Sequence, residues 1–579
     1  MLGIGGWDWF AVGIYLVVTT VIGFWTVRRV KSTTDFFMAG RRFGKPFMIF
    51  FSFGAGTSGN DAVGVSAKTF TNGMSGIWYQ WLWLFCTPFY WLIAPVFRRM
   101  RALTTGDYFE ARYDGSVGAL YAVIGIITLT VNIGVIQLGA GSMIEGITNE
   151  AIPKEAAILG MTAMFLLYGV AGGLAAAIVT DFIQGILTVI LSFILLPFAL
   201  KAVGGFAGLH RGIEDASMFS LVAPGEINLF WVVVLGLNGL IGVVTQPHIM
   251  GVCAAGRTEM DGRVGFATGN LIKRLCTVAW TVVGLCAVVM YMGDTSIEPD
   301  MIYGRAAQDL LPGIMPGLVG VFLAALVASV MSSCDAFMVS SSGLFTQNVY
   351  RRWMITDKSD NHYVWVGRVA SVCIVAGGLI FAFKVPNVRE GLVWFFKLQS
   401  LMGAAFWLGL FWRRASVAGV WAGTLAGFAV FSFFAFSPAI FSLFAMSPAA
   451  FHEWAAANLP QAMIWQGEFR DSWQILLQLL ASFGVGIGVS LVTQRVPKEK
   501  LDRVYACLRT PVNDDEPHQA EPFMLPEGVD PGPAHKLIDH PDLEIPMPTA
   551  VGMGGFAFFW LCVAALIAFV YWMATWGAT

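Results

Sequence analysis

The sequence predicts an all-α polytopic membrane protein with about fourteen transmembrane helices, and three observations predict it. Of 579 residues, 56% are hydrophobic and only 12% charged, against roughly 25% charged in an ordinary soluble domain. That is too little charge to cover a water-facing surface. The apolar residues gather in runs of about 20, long enough to cross a hydrocarbon layer of about 30 Å as helices. Lys and Arg collect between alternate runs, at Arg28 to Lys45, Arg98 to Arg112, Arg351 to Lys358, Arg413 with Arg414, and Arg495 to Arg509. This is the charge asymmetry of loops that face the cytoplasm.

Taken in order, helices are expected to begin near residues 7, 47, 74, 117, 155, 177, 227, 266, 312, 364, 391, 415, 472 and 552. The first run, from about Trp7 to Val27, has no basic residue before it and Arg28, Arg29 and Lys31 after it. It reads as an uncleaved first span with the N-terminus outside, because a secretory signal places its charge first. An even number of spans puts the C-terminus outside as well. The second span loses its apolar character near mid-depth, at Gly54-Ala55-Gly56-Thr57-Ser58-Gly59-Asn60-Asp61. The third is dense in tryptophan (Trp78, Trp81, Trp83), which is expected to form part of an interfacial aromatic belt. A short inner turn at Gly172-Gly173 joins the fifth span to the sixth. The seventh span holds Gly236, Asn238, Gly239 and Gly242 before Pro247. Two Gly-interrupted spans five helices apart point to inverted repeats with broken helices, in which unwound backbone frees carbonyls for a cation. For either segment alone, glycines that allow close helix packing are the plainer account.

From about Thr493 to Pro548 the composition turns polar and Pro-rich, with Asp514, Asp515 and Glu516 in a row. At about 55 residues this cytoplasmic segment is short for an added catalytic domain. It reads as an irregular connector, with docking or regulation as the alternative. The chain accordingly divides into a first helix (1–30), a core (31–440), an outer loop with a thirteenth helix (441–492), the polar segment (493–550) and a last helix (551–579).

Several function classes drop out. A net charge of -2 gives no global attraction to nucleic acid. Seven of the eight cysteines (Cys86, Cys253, Cys276, Cys286, Cys334, Cys373, Cys562) lie in or at the ends of apolar segments without C-x-x-C spacing, and the histidines form no H-E-x-x-H pattern. They read as small core residues, not as a disulfide framework or a metal site. No grouping of nucleophile, base and metal suggests an enzyme.

The polar residues inside the spans carry the chemistry. In the ninth span Ser329, Ser332, Ser333 and Ala336 fall at i, i+3, i+4 and i+7, so one helix face presents three hydroxyls. Serines can also satisfy themselves on the preceding turn. Asp335, a carboxylate within a span, is costly unless it faces a partner or a watery path. In the sixth span Asp181 follows Thr180 and precedes Gln184; it reads either as an interfacial carboxylate near the inner solution or as a further oxygen ligand for a hard cation. Asp335, one turn from Ser332, is expected to lie nearer the serine face than Asp181. Asn238 and Asp61 adjoin the two Gly breaks and are candidates to line a solute pocket closed on its inner side by Lys273. Lys273 and Arg274 read equally well as interfacial cations snorkelling to the headgroups.

Phe36-Phe37-Met38-Ala39-Gly40-Arg41-Arg42, Gly172-Gly173-Leu174 through Thr180-Asp181 to Gln184, Met331-Ser332-Ser333 with Leu344-Phe345-Thr346 and Tyr350-Arg351, and Gly409-Leu410-Phe411-Trp412-Arg413-Arg414 occur in this order over roughly the first 430 residues. Jointly they resemble the sodium:solute symporter family. The resemblance implies a LeuT-like fold, with inverted five-helix repeats formed by spans two to six and seven to eleven, and alternating access. It implies a sodium site built from the backbone carbonyls of Gly54, Thr57 and Ser329 and the hydroxyls of Ser332 and Ser333. In some members an aspartate at the position of Asp181 helps to hold a second sodium. Two serines that complete that second site in one member are replaced here by Asp335 and Ala336. Set against the sugar-carrying members, Asn238 and Lys273 match two solute contacts, whereas Asp61 and Tyr79 stand where those carriers have Gln and Glu.

The expectation is therefore a sodium-coupled symporter in the lipid bilayer of the plasma or inner membrane, with Na+ as coupled ion and a sugar, polyol, amino acid or related small organic molecule as solute. A transporter-like membrane sensor signalling through the polar segment is the alternative. Each sodium charge crossing the field would contribute roughly 2.3 kcal/mol per 100 mV.

Overall fold

Apolar runs become helices along nearly the whole chain, and the computed structural model describes residues 4–27, 32–223, 226–294, 296–435, 457, 460–465, 468–513, 516 and 522–578. The cations Arg28, Arg29 and Lys31, the acidic pair Asp514 and Asp515, and most of the expected outer loop after 441 lie outside the described residues. The helices that carry the argument are α1 (Gly6–Val27), α2 (Lys45–Ala55), α3 (Gly59–Asn72), α4 (Thr87–Arg99), α5 (Thr105–Arg112), α6 (Gly115–Ile147), α7 (Lys154–Ile194), α8 (Leu229–Val243) and α9 (His248–Ala254). They continue with α10 (Glu259–Met290), α11 (Leu318–Leu344), α12 (Asp360–Ala382), α13 (Val388–Gln399), α14 (Gly403–Phe411), α15 (Val417–Ala435), α16 (Asp471–Val492), α17 (Lys498–Arg509) and α18 (Ala550–Met573). The strands among the described residues are two-residue pieces, Ile464–Trp465 paired antiparallel with Glu468–Phe469.

Among the described residues nine helices are long and apolar enough to cross a membrane, or ten when α8 and α9, bent by 71° at their break, count as one. Length and hydropathy therefore stop short of the expected fourteen. Helix also forms at α1, α2 with α3, α4 and the part of α7 before Gly173, in shorter or broken pieces. The second span breaks where the glycines predicted, between Ala55 and Gly59. The seventh breaks at residues 244–247, after its glycines and around Pro247, which has no N–H to continue the ladder. The fifth and sixth spans turn at Gly173, whose φ of 60° and ψ of -158° suit glycine alone.

The helix α11 forms the centre: 89% of its apolar window is buried inside the protein, against 22% for α18. Around it pack α7, α6, α1 and α2. The pair α15 and α16 shows how small residues draw helices together without a hydrophobic driving force. Gly419, Gly423 and Gly427 face Ser490, Gly486 and Ser482 so closely that a Cβ at Gly419 would lie 2.0 Å from Ser490 Oγ.

Candidate cation and solute site

The break in the second span lies against α11 and the second half of α7. Ser333 Oγ donates to the Gly54 carbonyl at 2.8 Å. Ser332 Oγ lies over the Gly54 Cα, where a Cβ would meet it at 2.3 Å and Asp181 Cγ at 3.5 Å. Gly54 is thus required by close approach, and three helices meet at one point. Ser329 stands one turn earlier, against Gly59 at the start of α3, with its hydroxyl turned back to the Leu326 carbonyl at 2.7 Å. Both Asp181 oxygens and the hydroxyls of Ser332 and Thr57 are buried without a well-aligned hydrogen bond.

Such a set is costly unless something else satisfies it. Hydroxyls, a freed carbonyl and one carboxylate are the oxygen donors that hold a small hard cation, so the residues fit a sodium ion. Among the described residues no three His, Cys, Asp or Glu side chains come together.

The two aspartates differ from the sequence expectation. Asp181 is fully buried, and its carboxyl is the one packed on Gly54 beside Ser332. Asp335 points its carboxylate toward Gly169 in the first half of α7, where a Cβ would lie 2.3 Å from Oδ1. The cause is long-range: the turn at Gly173 brings the two halves of α7 to different parts of α11. The first span adds a residue that the sequence did not flag. Tyr15 accepts from Gln184 Nε2 at 3.0 Å and donates to Met331 Sδ at 3.4 Å, so α1 buttresses the same corner. Its only signal was a polar aromatic inside an apolar run.

A cavity of about 70 Å³ adjoins this cluster, with Ser333, Asp61, Gln80, Trp83, His248 and Lys273 in its wall; it has space for a few water molecules. Asp61 is engaged on every side. The Ser58 backbone N–H donates to Oδ2 at 3.1 Å in a capping box that starts α3, Gln80 Nε2 donates to Oδ1 at 2.5 Å, and Lys273 Nζ lies 2.9 Å from Oδ2. Lys273 also donates to the Gly56 carbonyl freed by the break. Lys273 and Arg274 are buried, which removes the snorkelling account. The residue that reaches Asp61 from the third span is Gln80; Tyr79, next to it, borders a separate cavity. Two further expectations are corrected. Asn238 is buried outside the cavity wall, where its Nδ2 donates to the Phe396 carbonyl at 2.8 Å and ties α8 to α13. Trp78, Trp81 and Trp83 are buried and do not form a belt, since the third span runs inside the bundle; Trp81 Nε1 donates to the Arg274 carbonyl at 3.1 Å.

Broken helices around a cavity lined by charged side chains are the architecture of a secondary transporter. The model of the sodium:solute symporter family matches residues 36–427, and the chain belongs to that family, with Na+ as the coupled ion. It is 26% identical over 472 residues to a sodium/glucose cotransporter of Vibrio parahaemolyticus, covering 74% of this chain and 85% of that one. It is 26% identical over 436 residues to the osmoregulated proline transporter OpuE of Bacillus subtilis (72% and 87% covered), and 25% identical over 445 residues to the sodium/proline symporter of Escherichia coli (72% and 85%). A sodium-coupled sialic acid symporter, solved substrate-bound and outward-open, superposes with a TM-score of 0.70 at 16% identity over 85% of this chain and 99% of that one. The fold is thus the LeuT-like one. None of these relatives supports the sensor alternative.

Proposed function

We propose that the protein imports a compact, neutral or zwitterionic organic solute together with sodium by alternating access. In this reading fourteen spans form two inverted repeats, spans two to six and seven to eleven, with both termini outside. The observation that carries it is the meeting of the broken second span with Ser332, Ser333 and Asp181 next to a cavity whose ion pair, Asp61 with Lys273, is already neutral. The carbonyls of Gly54, Thr57 and Ser329 and the hydroxyls of Ser332 and Ser333 hold the first sodium. Asp181 adds charge there or to a second ion shared with Asp335.

The solute chemistry follows from charge balance. A plain anion entering the cavity would leave a net charge in a low-dielectric site, whereas a zwitterion can exchange partners with both members of the pair, and a polyol or sugar can bond to them without charge. Curated relatives carry sugars, inositol and proline, which supports both neutral and zwitterionic candidates. Uptake by purified protein in liposomes, with a panel of sugars, polyols, amino acids and dicarboxylates under a sodium or potassium gradient, tests this. Sodium-driven accumulation of a neutral or zwitterionic compound is expected. Equal uptake in potassium, or uptake of dicarboxylates alone, would overturn it. The Ser332→Ala and Ser333→Ala double variant is expected to need a higher sodium concentration for half-maximal uptake while folding normally.

A further inference from the structure

A second charged cluster closes the molecule at the opposite end of α13 and α14 from the C-terminal segment, and the cation and solute sites do not call on it. Arg389, in the first turn of α13, donates from Nη2 to Glu226 Oε1 at 3.0 Å and from Nε to Tyr79 Oη at 3.3 Å, and stands 3.9 Å from Asp471 Oδ2. Tyr79 precedes α4, Glu226 precedes α8 and Asp471 opens α16, so one guanidinium joins four segments. Glu226 also takes Lys68 of α3 at 2.7 Å, and Asp471 takes Lys397 at 3.3 Å.

Leu392, three residues after Arg389, lines both the solute cavity and an outer cavity of about 380 Å³ bordered by Arg389, Lys68 and Tyr79. Its Cδ1 would lie 3.2 Å from a Cβ on Gly64 of α3. The first turns of α13 are therefore the wall between the two spaces, pressed onto the broken span and tied at their end by the guanidinium.

We propose that Arg389 is an ionic latch of the outer gate: by bonding Glu226 and Tyr79 it holds Leu392 over the solute cavity, and its release lets the cavity open to the outer solution. The latch rests on the reading of the inner cavity as the solute path. Arg389 is a positioning residue, acting through Leu392. Its side chain is 49% exposed and that of Glu226 21%, and exposed ion pairs are individually weak. Weakness suits a contact that must break in every cycle, and the planar fork lets one cation serve several acceptors at once.

The test measures how fast a membrane-impermeant thiol reagent reaches the cavity in sealed right-side-out vesicles. Cys373 and Cys562, the cysteines that are not buried, are first changed to Ser, and Val243→Cys in the cavity wall serves as reporter. Arg389→Gln and Glu226→Gln are each expected to raise the labelling rate about 5-fold, the upper range for such a network. The double variant should do no more than the stronger single one, because both cut the same contact. Arg389→Lys should lie between. Arg305→Gln, which removes an exposed charge paired with Asp309 at 3.3 Å, should leave the rate within about twofold. Rates unchanged in both Arg389→Gln and Glu226→Gln, or raised equally by Arg305→Gln, overturn the latch. Replacing sodium by potassium in the parent separates the two claims: no effect of sodium there, with the latch variants still fast, sinks the coupling reading and keeps the latch.

Discussion

Changing Asp181 to asparagine removes the one carboxylate packed on Gly54 and Ser332 while keeping the side chain's size. A charged partner of a buried hydrogen-bonding group is worth about 1.5–3 kcal/mol, so the sodium concentration for half-maximal uptake should rise roughly tenfold or more. Asp335→Asn should shift it less, because that carboxylate points to Gly169. Sodium titrations of uptake on the two variants check the order, and a larger shift from Asp335→Asn would reverse the assignment. Helix periodicity had favoured Asp335, since it reports only neighbours on one helix. Asp181 reaches the serines through a contact between α7, α2 and α11, which no local pattern encodes. The same limit applies to Lys273: its type and position stood out in the sequence, but its partner in the capping box of α3 did not. Asp61 could have been read as that box from Ser58-x-x-Asp61.

At the level of elements, Gly173 is the most demanding position. Alanine there would have to adopt φ near 60° with ψ near -158°, and its Cβ would meet Phe36 Cδ2 at 2.6 Å and the Phe36 carbonyl at 2.7 Å. The backbone strain alone costs about 1–3 kcal/mol. Gly173→Ala should therefore lower the melting temperature in detergent by several degrees or prevent folding, whereas Gly160→Ala, with nothing within 4 Å of a Cβ, should be neutral or mildly stabilising. Equal melting of the two would refute a structural turn at Gly173. This turn was legible because consecutive glycines interrupt an apolar run. So were many helix starts: those expected near 117, 155, 472 and 552 are observed at 115, 154, 471 and 550. The start expected near 266 falls instead at Glu259, because a Thr258–Asp261 capping box begins α10 on polar residues before its apolar part. Hydropathy reads where a helix enters lipid, and caps decide where it begins.

Across the whole molecule, the described residues of the polar segment after α17 are irregular, yet they are fastened to the ends of several spans. The Phe523 N–H donates to the Met100 carbonyl at 3.1 Å, the Glu544 N–H to the Phe411 carbonyl at 2.9 Å and the Arg413 N–H to the Asp542 carbonyl at 2.8 Å. Arg101 pairs with Glu516, and Arg413 pairs with Glu544 at 2.5 Å and with Asp502 at 2.6 Å. These bonds run from the end of α4 to the end of α14, so the segment straps together helices far apart in the chain. Composition predicted its irregularity, because few apolar residues leave little surface to bury. It could not reveal the strap, whose partners lie 89 residues away or more. Phe523 is the anchor: fully buried near Tyr108, with ring centroids 6.2 Å apart, it keeps a positive φ of 56° that a non-glycine residue holds only when packing outweighs the strain. Truncating a fully buried Phe to Ala costs about 3–5 kcal/mol. Phe523→Ala should thus lower the melting temperature by several degrees, and Glu544→Gln, which weakens the pairs with Arg413 and Lys536, by less. A strap that only braces the bundle leaves sodium-driven uptake per folded molecule unchanged in Glu544→Gln. An unchanged melting temperature in Phe523→Ala would show that the segment is not docked, while uptake altered with normal stability in Glu544→Gln would show that it takes part in the transport cycle.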